Sequence, residues 1–346
     1  MVIKVFISLV HMDTQSVEAT VRRAPNGDLI VICTCGGVKE PAPENRVYLF
    51  RSSDEGKTWS EKQMIHQEDG FAHYQTCTVV ENGTIYVFIT RHNGYFVDWK
   101  NYVLVSTDSG FCWEEHPSPL LAENGFIRDM ITLESGKKLF PYHAYPLTKE
   151  QHEYCRLRNL LICSCRPPIQ YVDNGVYIGD FKDGFEKITA FRQTELPRAA
   201  DGSRAWNWSE NTVVELEKQH LVMLYRIENT GFLWRTDSFD GGKTWERPNQ
   251  TEIPNPANKP QLLKGLNGEI ILLNTPNNKK DFYLRRRFPL EAWVSYDDMN
   301  TWNKKIRISD FPGCYSYADG FIDSDGKLRL AFEFNRHDIY FAETEL

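Results

Sequence analysis

The chain has 346 residues, 41% hydrophobic and 25% charged, a globular balance that excludes a disordered or fibrous protein. Its net charge of −7, with one dense basic run at Arg285, Arg286 and Arg287, excludes the broad positive face that a nucleic-acid reader needs. No stretch approaches the ~18 consecutive apolar residues that span a bilayer, so an integral membrane protein is not expected, nor is the membrane as a partner.

In chain order, residues 3–10 are apolar but interrupted by Lys4, and no small-residue cleavage site follows. They are expected to form a strand rather than a signal peptide, which places the protein in the cytoplasm. Residues 19–32 read as an apolar strand, a polar turn with Gly27 and a second apolar strand, running into Cys33-x-Cys35 at a spacing that suits alternate strand positions. Then comes Ser52-x-Asp54-x-Gly56-x-Thr58-Trp59. In such a box Asp and Ser bond backbone N–H groups inside a hairpin turn, Gly supplies positive φ, and Trp packs beneath as a plug.

The same order recurs. A strand–turn–strand unit at residues 78–88 precedes a box from Ser106 to Trp113, and another unit occupies residues 130–140. Residues 145–158 and 196–208 are irregular and are expected to form loops over one face. The unit at residues 212–224 leads to a box from Ser238 to Trp245. The unit at residues 260–273 leads to a worn box from Ser295 to Trp302, where Met299 replaces the glycine, and the last unit spans residues 320–332. The gap between the second and third boxes is wide enough for two units, one of which has lost its box. Six strand-rich units predict an all-β, six-bladed β-propeller occupying residues 1–346 as one domain. The first strand is expected to pair beyond Ile339 in the last blade and so close the ring.

Eight cysteines, including Cys163-x-Cys165, lack zinc-site spacing and are expected to be buried free thiols. No phosphate loop, dinucleotide fingerprint or HExxH run occurs, so no cofactor or metal is expected. In a propeller the inner-strand ends converge at an axial mouth. Glu18, Gln75, Arg91, His92, Asp129 and His143 fall near such ends, with Asp129 and His143 suited to acid–base work or hydroxyl binding. Trp99, Trp206 and Trp208 suit either sugar stacking or core packing.

The repeated boxes resemble those of the sialidase superfamily, the Asp-box or neuraminidase-like propellers, over nearly the whole chain. Ser209-Glu210 followed by Arg226 is similar to the family's fourth-blade Glu and next-strand Arg. Arg287, flanked by Arg285 and Arg286, is similar to a further family Arg. Tyr317, nine residues before Gly326, matches the nucleophile, with Tyr315 beside it, and Glu333 matches a Glu that supports an arginine. The family's first Arg would fall near Glu18, and neither Arg22 nor Arg23 lies at that depth. Its acid/base Asp has no counterpart, leaving Glu40 or Glu44.

The resemblance implies a retaining, exo-acting glycoside hydrolase on a terminal acidic or deoxy sugar, with a glycan as partner. Tyr317, Glu210, Asp129 and Glu44 are then the catalytic candidates, and Arg226, Arg287, Glu333, Glu18, Gln75, Arg91, His143 and Arg336 the substrate-binding ones. A Tyr nucleophile suits such sugars because a phenol stays neutral until a base takes its proton. Two other functions fit the pattern: a propeller that binds carbohydrate without cleaving it, and a lyase that uses His143 or Tyr317 to remove a uronate proton.

Overall fold

Short apolar runs separated by glycine turns favour antiparallel meanders, and the chain forms six of them. A computed structural model describes residues 4–94, 96, 98–121, 124–158, 171–193, 209–227, 230–278, 287–309 and 311–346. The first blade contains Ser16–Arg23, Leu29–Cys35, Arg46–Ser52 and Gln63–His66; the second contains Ala72–Glu81, Thr84–His92, Lys100–Ser106 and Glu114–Pro117. The third has Gly125–Ile127, Lys138–Ala144, Val172–Asp180 and Gly184–Gln193, with the short Ile131–Thr132 beside its second strand. The fourth comprises Asn211–Glu217, His220–Arg226, Phe232–Ser238 and Asn249–Pro254, and the fifth Gln261–Lys264, Ile270–Asn274, Glu291–Ser295 and Lys304–Arg307. Tyr315–Ile322, Leu328–Phe334 and Asp338–Thr344 build the sixth, and Phe6–Met12 adds antiparallel to Asp338–Thr344 as its outer strand. The fold is therefore a six-bladed β-propeller whose ring is closed by its earliest strand.

Each blade interface is filled by apolar side chains from two neighbouring sheets. Between the first and second blades, Ile30, Ile32 and Leu49 pack with Ile85, Val87 and Leu104, all at most 1% exposed. Removing such surface from water supplies about 25 cal/mol per Å² and holds the sheets face to face.

The boxes form the turns expected of them. Gly56 N–H donates to Ser52 Oγ at 2.8 Å, and Thr58 N–H donates to Asp54 Oδ1 at 2.9 Å. Met299 adopts φ 65° in the worn box and keeps the corresponding bond to Ser295 Oγ at 2.9 Å. In the third blade the boxless hairpin is held by Asp180, whose Oδ1 accepts from Lys182 N–H and Asp183 N–H. At Gly56, φ is 78° and a Cβ would lie 2.4 Å from the Phe341 ring. Gly56→Ala is therefore expected to cost about 1–3 kcal/mol through strain and overpacking. It should lower the urea midpoint without changing the slope, and an unchanged midpoint would contradict the packing argument.

Some expectations change. The first strand begins at Phe6 and extends to Met12, two residues beyond the predicted end. Within residues 145–158, expected as loop, Lys149–Leu157 is a helix whose start is fixed by a capping box between Thr148 and Gln151. Trp99 is 1% exposed and packs with Phe96, Phe126 and Tyr145, so it belongs to the core rather than to a sugar platform. Cys33, Cys35, Cys77 and Cys314 are buried free thiols and Cys155 is buried, whereas Cys112 is free and exposed. Cys163, Cys165, Trp206, Trp208, Arg285 and Arg286 lie outside the described residues.

Candidate functional site

In the first and sixth blades the inner strand departs from regular alternation near the cavity mouth and sets a left-handed residue there. Pairing slips between Val17 and Thr20 in the first blade and between Ser316 and Asp319 in the sixth. Glu18 and Tyr317 occupy these bulges with φ 55° and 51°. A left-handed Glu or Tyr costs about 1–3 kcal/mol and persists only where surrounding contacts hold it. Here the bulges aim both side chains into one cavity of about 440 Å³, whose lining also includes Glu40, Tyr74, Arg128, Glu210, Arg226, Arg287 and Arg336.

The centre of the cavity is a hydrogen-bonded pair. Tyr317 Oη donates to Glu210 Oε1 at 2.9 Å and accepts from Arg226 Nη2 at 3.2 Å. Arg226 Nε also pairs with Glu210 Oε2 at 2.9 Å, and its Nη1 donates to the Ala257 carbonyl at 2.5 Å. Arg287 Nη2 reaches the same carbonyl at 2.9 Å and its Nη1 donates to Ser316 Oγ. Both guanidinium groups lie 5.6 Å from the Tyr317 ring centroid. Burial pushes the Tyr317 hydroxyl up from its usual 10.0; Arg226 opposes that shift and Glu210 adds to it. The phenol is thus a stored proton beside a base.

Arg128 joins the two sides of this arrangement. Its Nη1 donates to Glu18 Oε1 at 2.8 Å and its Nη2 to Glu210 Oε1 at 3.0 Å, while the guanidinium sits 4.4 Å from the Phe126 ring centroid. Desolvation opposes its charge, but Glu18 and Glu210 outweigh that cost and raise its pKa. Glu18 Oε1 also accepts from Tyr74 Oη at 3.2 Å. At the rim Glu40 bonds Tyr74 Oη and pairs with Arg336, whose pKa burial lowers to about 10.

The structure thus brings together Tyr317, Glu210, Arg226, Arg287, Glu18 and Arg336 and leaves other candidates elsewhere. Gln75 is fully buried, and its Nε2 donates to the Glu18 carbonyl; Tyr74 next to it faces the cavity. Asp129 points to the opposite end of the axis, where it lies 3.9 Å from Arg22 and lines a separate cavity of about 310 Å³; Arg128 next to it faces the candidate site. Arg91 pairs with Glu68 on the blade flank, outside the cavity. Glu44 is exposed outside the lining, and Glu40 is the rim carboxylate instead. Tyr315 is buried among Phe311, Phe332 and Phe334.

The histidines are structural. His92 Nδ1 accepts from Gly94 N–H, and His143 is fully buried against Phe126 and Tyr145 without lining the cavity. Burial, reinforced by Arg128, pushes the His143 imidazole well below 6.5, and a lyase base at His143 is out of reach of a substrate.

Glu333 supports no arginine through a described bond. Its Oε1 accepts the Glu18 backbone N–H at 2.5 Å and pins the first-blade bulge. Burial, with the charge of Glu18 added, pushes its carboxyl up from 4.5 to about 8. Across that window the folded chain keeps a proton that the unfolded chain has released, so rising pH erodes stability. Glu333→Gln retains an acceptor and removes the titration. Its thermal midpoint is expected to fall less than that of the wild type between about pH 5 and pH 8. An equal fall in both proteins would count against this origin.

Arg128 was missed in the sequence although it adjoins Asp129. The available signal was its place next to an inner-strand end, one residue past Gly125–Ile127; Glu18, Glu210 and Tyr317 likewise lie within two residues of an inner-strand end in their own blades.

The family described as BNR repeat-like domain matches residues 27–330. No curated protein matches. Among solved structures, a protein of unknown function from Dyadobacter fermentans superposes with a TM-score of 0.71 at 16% identity, covering 99% of each chain. The NanB sialidase from Streptococcus pneumoniae gives 0.66 at 13% identity, covering 99% of this chain and 70% of that one. An alpha-L-arabinanase from Penicillium chrysogenum, solved with arabinobiose, gives 0.61 at 12% identity over 99% and 98%. At such identities the likeness is one of fold.

Proposed function

Because the chain belongs to the BNR repeat-like family and has a sialidase-like propeller, we propose that it is a retaining, exo-acting glycoside hydrolase for a terminal acidic or deoxy sugar. The observation that carries this reading is the buried Tyr317–Glu210 hydrogen bond at 2.9 Å, with Arg226 on the same hydroxyl. Glu210 takes the phenol proton as Tyr317 Oη attacks the anomeric carbon, and Arg226 stabilises the charge that develops on oxygen. The glycosidic bond breaks, and its oxygen leaves with a proton from Glu40 at the rim. Water then attacks the same carbon and gives a proton to Glu40, while Tyr317 departs and recovers its own from Glu210. Two displacements return the original anomeric configuration. A phenol lies in the same cavity as Glu18 and Glu210 without adding a third negative charge.

The test is a panel of aryl glycosides, with and without a carboxylate, read by aryl release and by the first anomer seen in proton NMR. Retained configuration is expected; no release from any member, or inversion, would end this reading. One observation favours carbohydrate binding without cleavage: Glu18, Glu40 and Glu210 are each held in an ion pair with a guanidinium, so none of the three stands free to hand a proton to a leaving group. Saturable glycan binding with no product after prolonged incubation would establish that alternative.

A further inference from the structure

We propose that the cavity selects a sugar whose reacting carbon carries hydrogen rather than a carboxylate, and that Glu18 enforces the choice. This inference rests on the hydrolase reading for the position of the reacting carbon next to Tyr317, and it names the substrate class of that site.

Glu18 is only 3% exposed, yet it lines the same cavity as Tyr317. Its peptide is fixed on both sides: Glu333 accepts from its N–H, and Gln75 donates to its carbonyl. The left-handed turn therefore commits the side chain to the cavity. Glu18 Oε1 holds the bonds from Arg128 and Tyr74, while Oε2 makes no hydrogen bond among the described residues. A carboxylate oxygen with free lone pairs accepts from a sugar hydroxyl and repels an acid.

Of the guanidinium groups that line the cavity around Tyr317, those of Arg128 and Arg226 are already engaged with the carboxylates of Glu18 and Glu210. Arg128 gives both terminal nitrogens to Glu18 and Glu210. Arg226 is spread over Glu210, Ala257 and Tyr317. A carboxylate on the carbon attacked by Tyr317 would thus enter beside Glu18 and Glu210 and find protein carboxylates on those arginines. Arg287 differs, because its described bonds go to the neutral oxygens of Ser316 and Ala257 and it forms no ion pair among the described residues. An acid group, where the sugar has one, belongs toward Arg287 rather than beside Glu18 and Glu210.

The probes are aryl aldosides (hexosides, 6-deoxyhexosides and hexuronides) set against an aryl ulosonide, whose carboxylate sits on the anomeric carbon. For the wild type, kcat/KM on the best aldoside is expected to exceed that on the ulosonide by about 100-fold, and Glu18→Gln should narrow this ratio at least ~10-fold. A second arm measures equilibrium binding of the methyl aldosides and methyl ulosonide to Tyr317→Phe protein. Better turnover or tighter binding of the ulosonide overturns the proposal, as does an unmoved ratio in folded Glu18→Gln protein. Aldoside-selective binding without turnover of any aryl glycoside supports the selection by Glu18 and overturns the hydrolase reading instead. Binding of neither class overturns both.

Discussion

Tyr317→Phe is expected to lower turnover by at least about 10³-fold while the protein melts close to the wild-type temperature. The substitution removes one oxygen. That oxygen is the proposed nucleophile, and no other hydroxyl sits between Glu210 and Arg226 in the described cavity. The stability cost is small because Glu210 keeps its bonds to Arg128 and Arg226, so no buried charge is abandoned. One lost hydrogen bond is worth about 1 kcal/mol. The ring, its bulge and its neighbouring guanidiniums remain. Activity above a tenth of wild type, measured on the best aryl glycoside, would remove Tyr317 from the chemistry.

Arg128→Met should give the largest loss of stability. Arg128 is 2% exposed and neutralises two carboxylates, of which Glu18 has no other described cationic partner. Removing one member of a buried pair typically costs about 3–5 kcal/mol, because the remaining charge stays desolvated. Methionine keeps much of the volume over Phe126 and isolates the charge effect. The double variant Arg128→Met with Glu18→Gln is expected to recover part of the loss, since the stranded charge is gone. Denaturant unfolding of the wild type, both single variants and the double variant closes the cycle; simple additivity would show that Arg128 acts mainly through packing.

The repeated Ser-x-Asp-x-Gly boxes made the fold legible, because each encodes a local turn that needs nothing distant to form. The site was harder to read, and the errors share a cause. Gln75 was chosen where Tyr74 faces the cavity, and Asp129 where Arg128 does. Side chains alternate along a strand, so a slip of one residue exchanges its two faces. The second-blade strand is irregular between Gln75 and Cys77, and such irregularities are set by partners in the fold rather than by the run of residues around them. Glu18 and Tyr317 were named in the sequence and both line the cavity, but their left-handed backbone was not visible there. The helix at Lys149–Leu157 did carry a local signal in Thr148-x-x-Gln151.

The seam between Phe6–Met12 and Asp338–Thr344 has a consequence for biosynthesis. A ribosome releases the earliest strand long before its partner exists. That strand must wait, with both hydrogen-bonding edges unfilled, while five complete sheets emerge behind it. Contacts so distant along the chain form slowly. The interval before the seam shuts is therefore when a nascent molecule is most open to a chaperone, or to the edge of another copy.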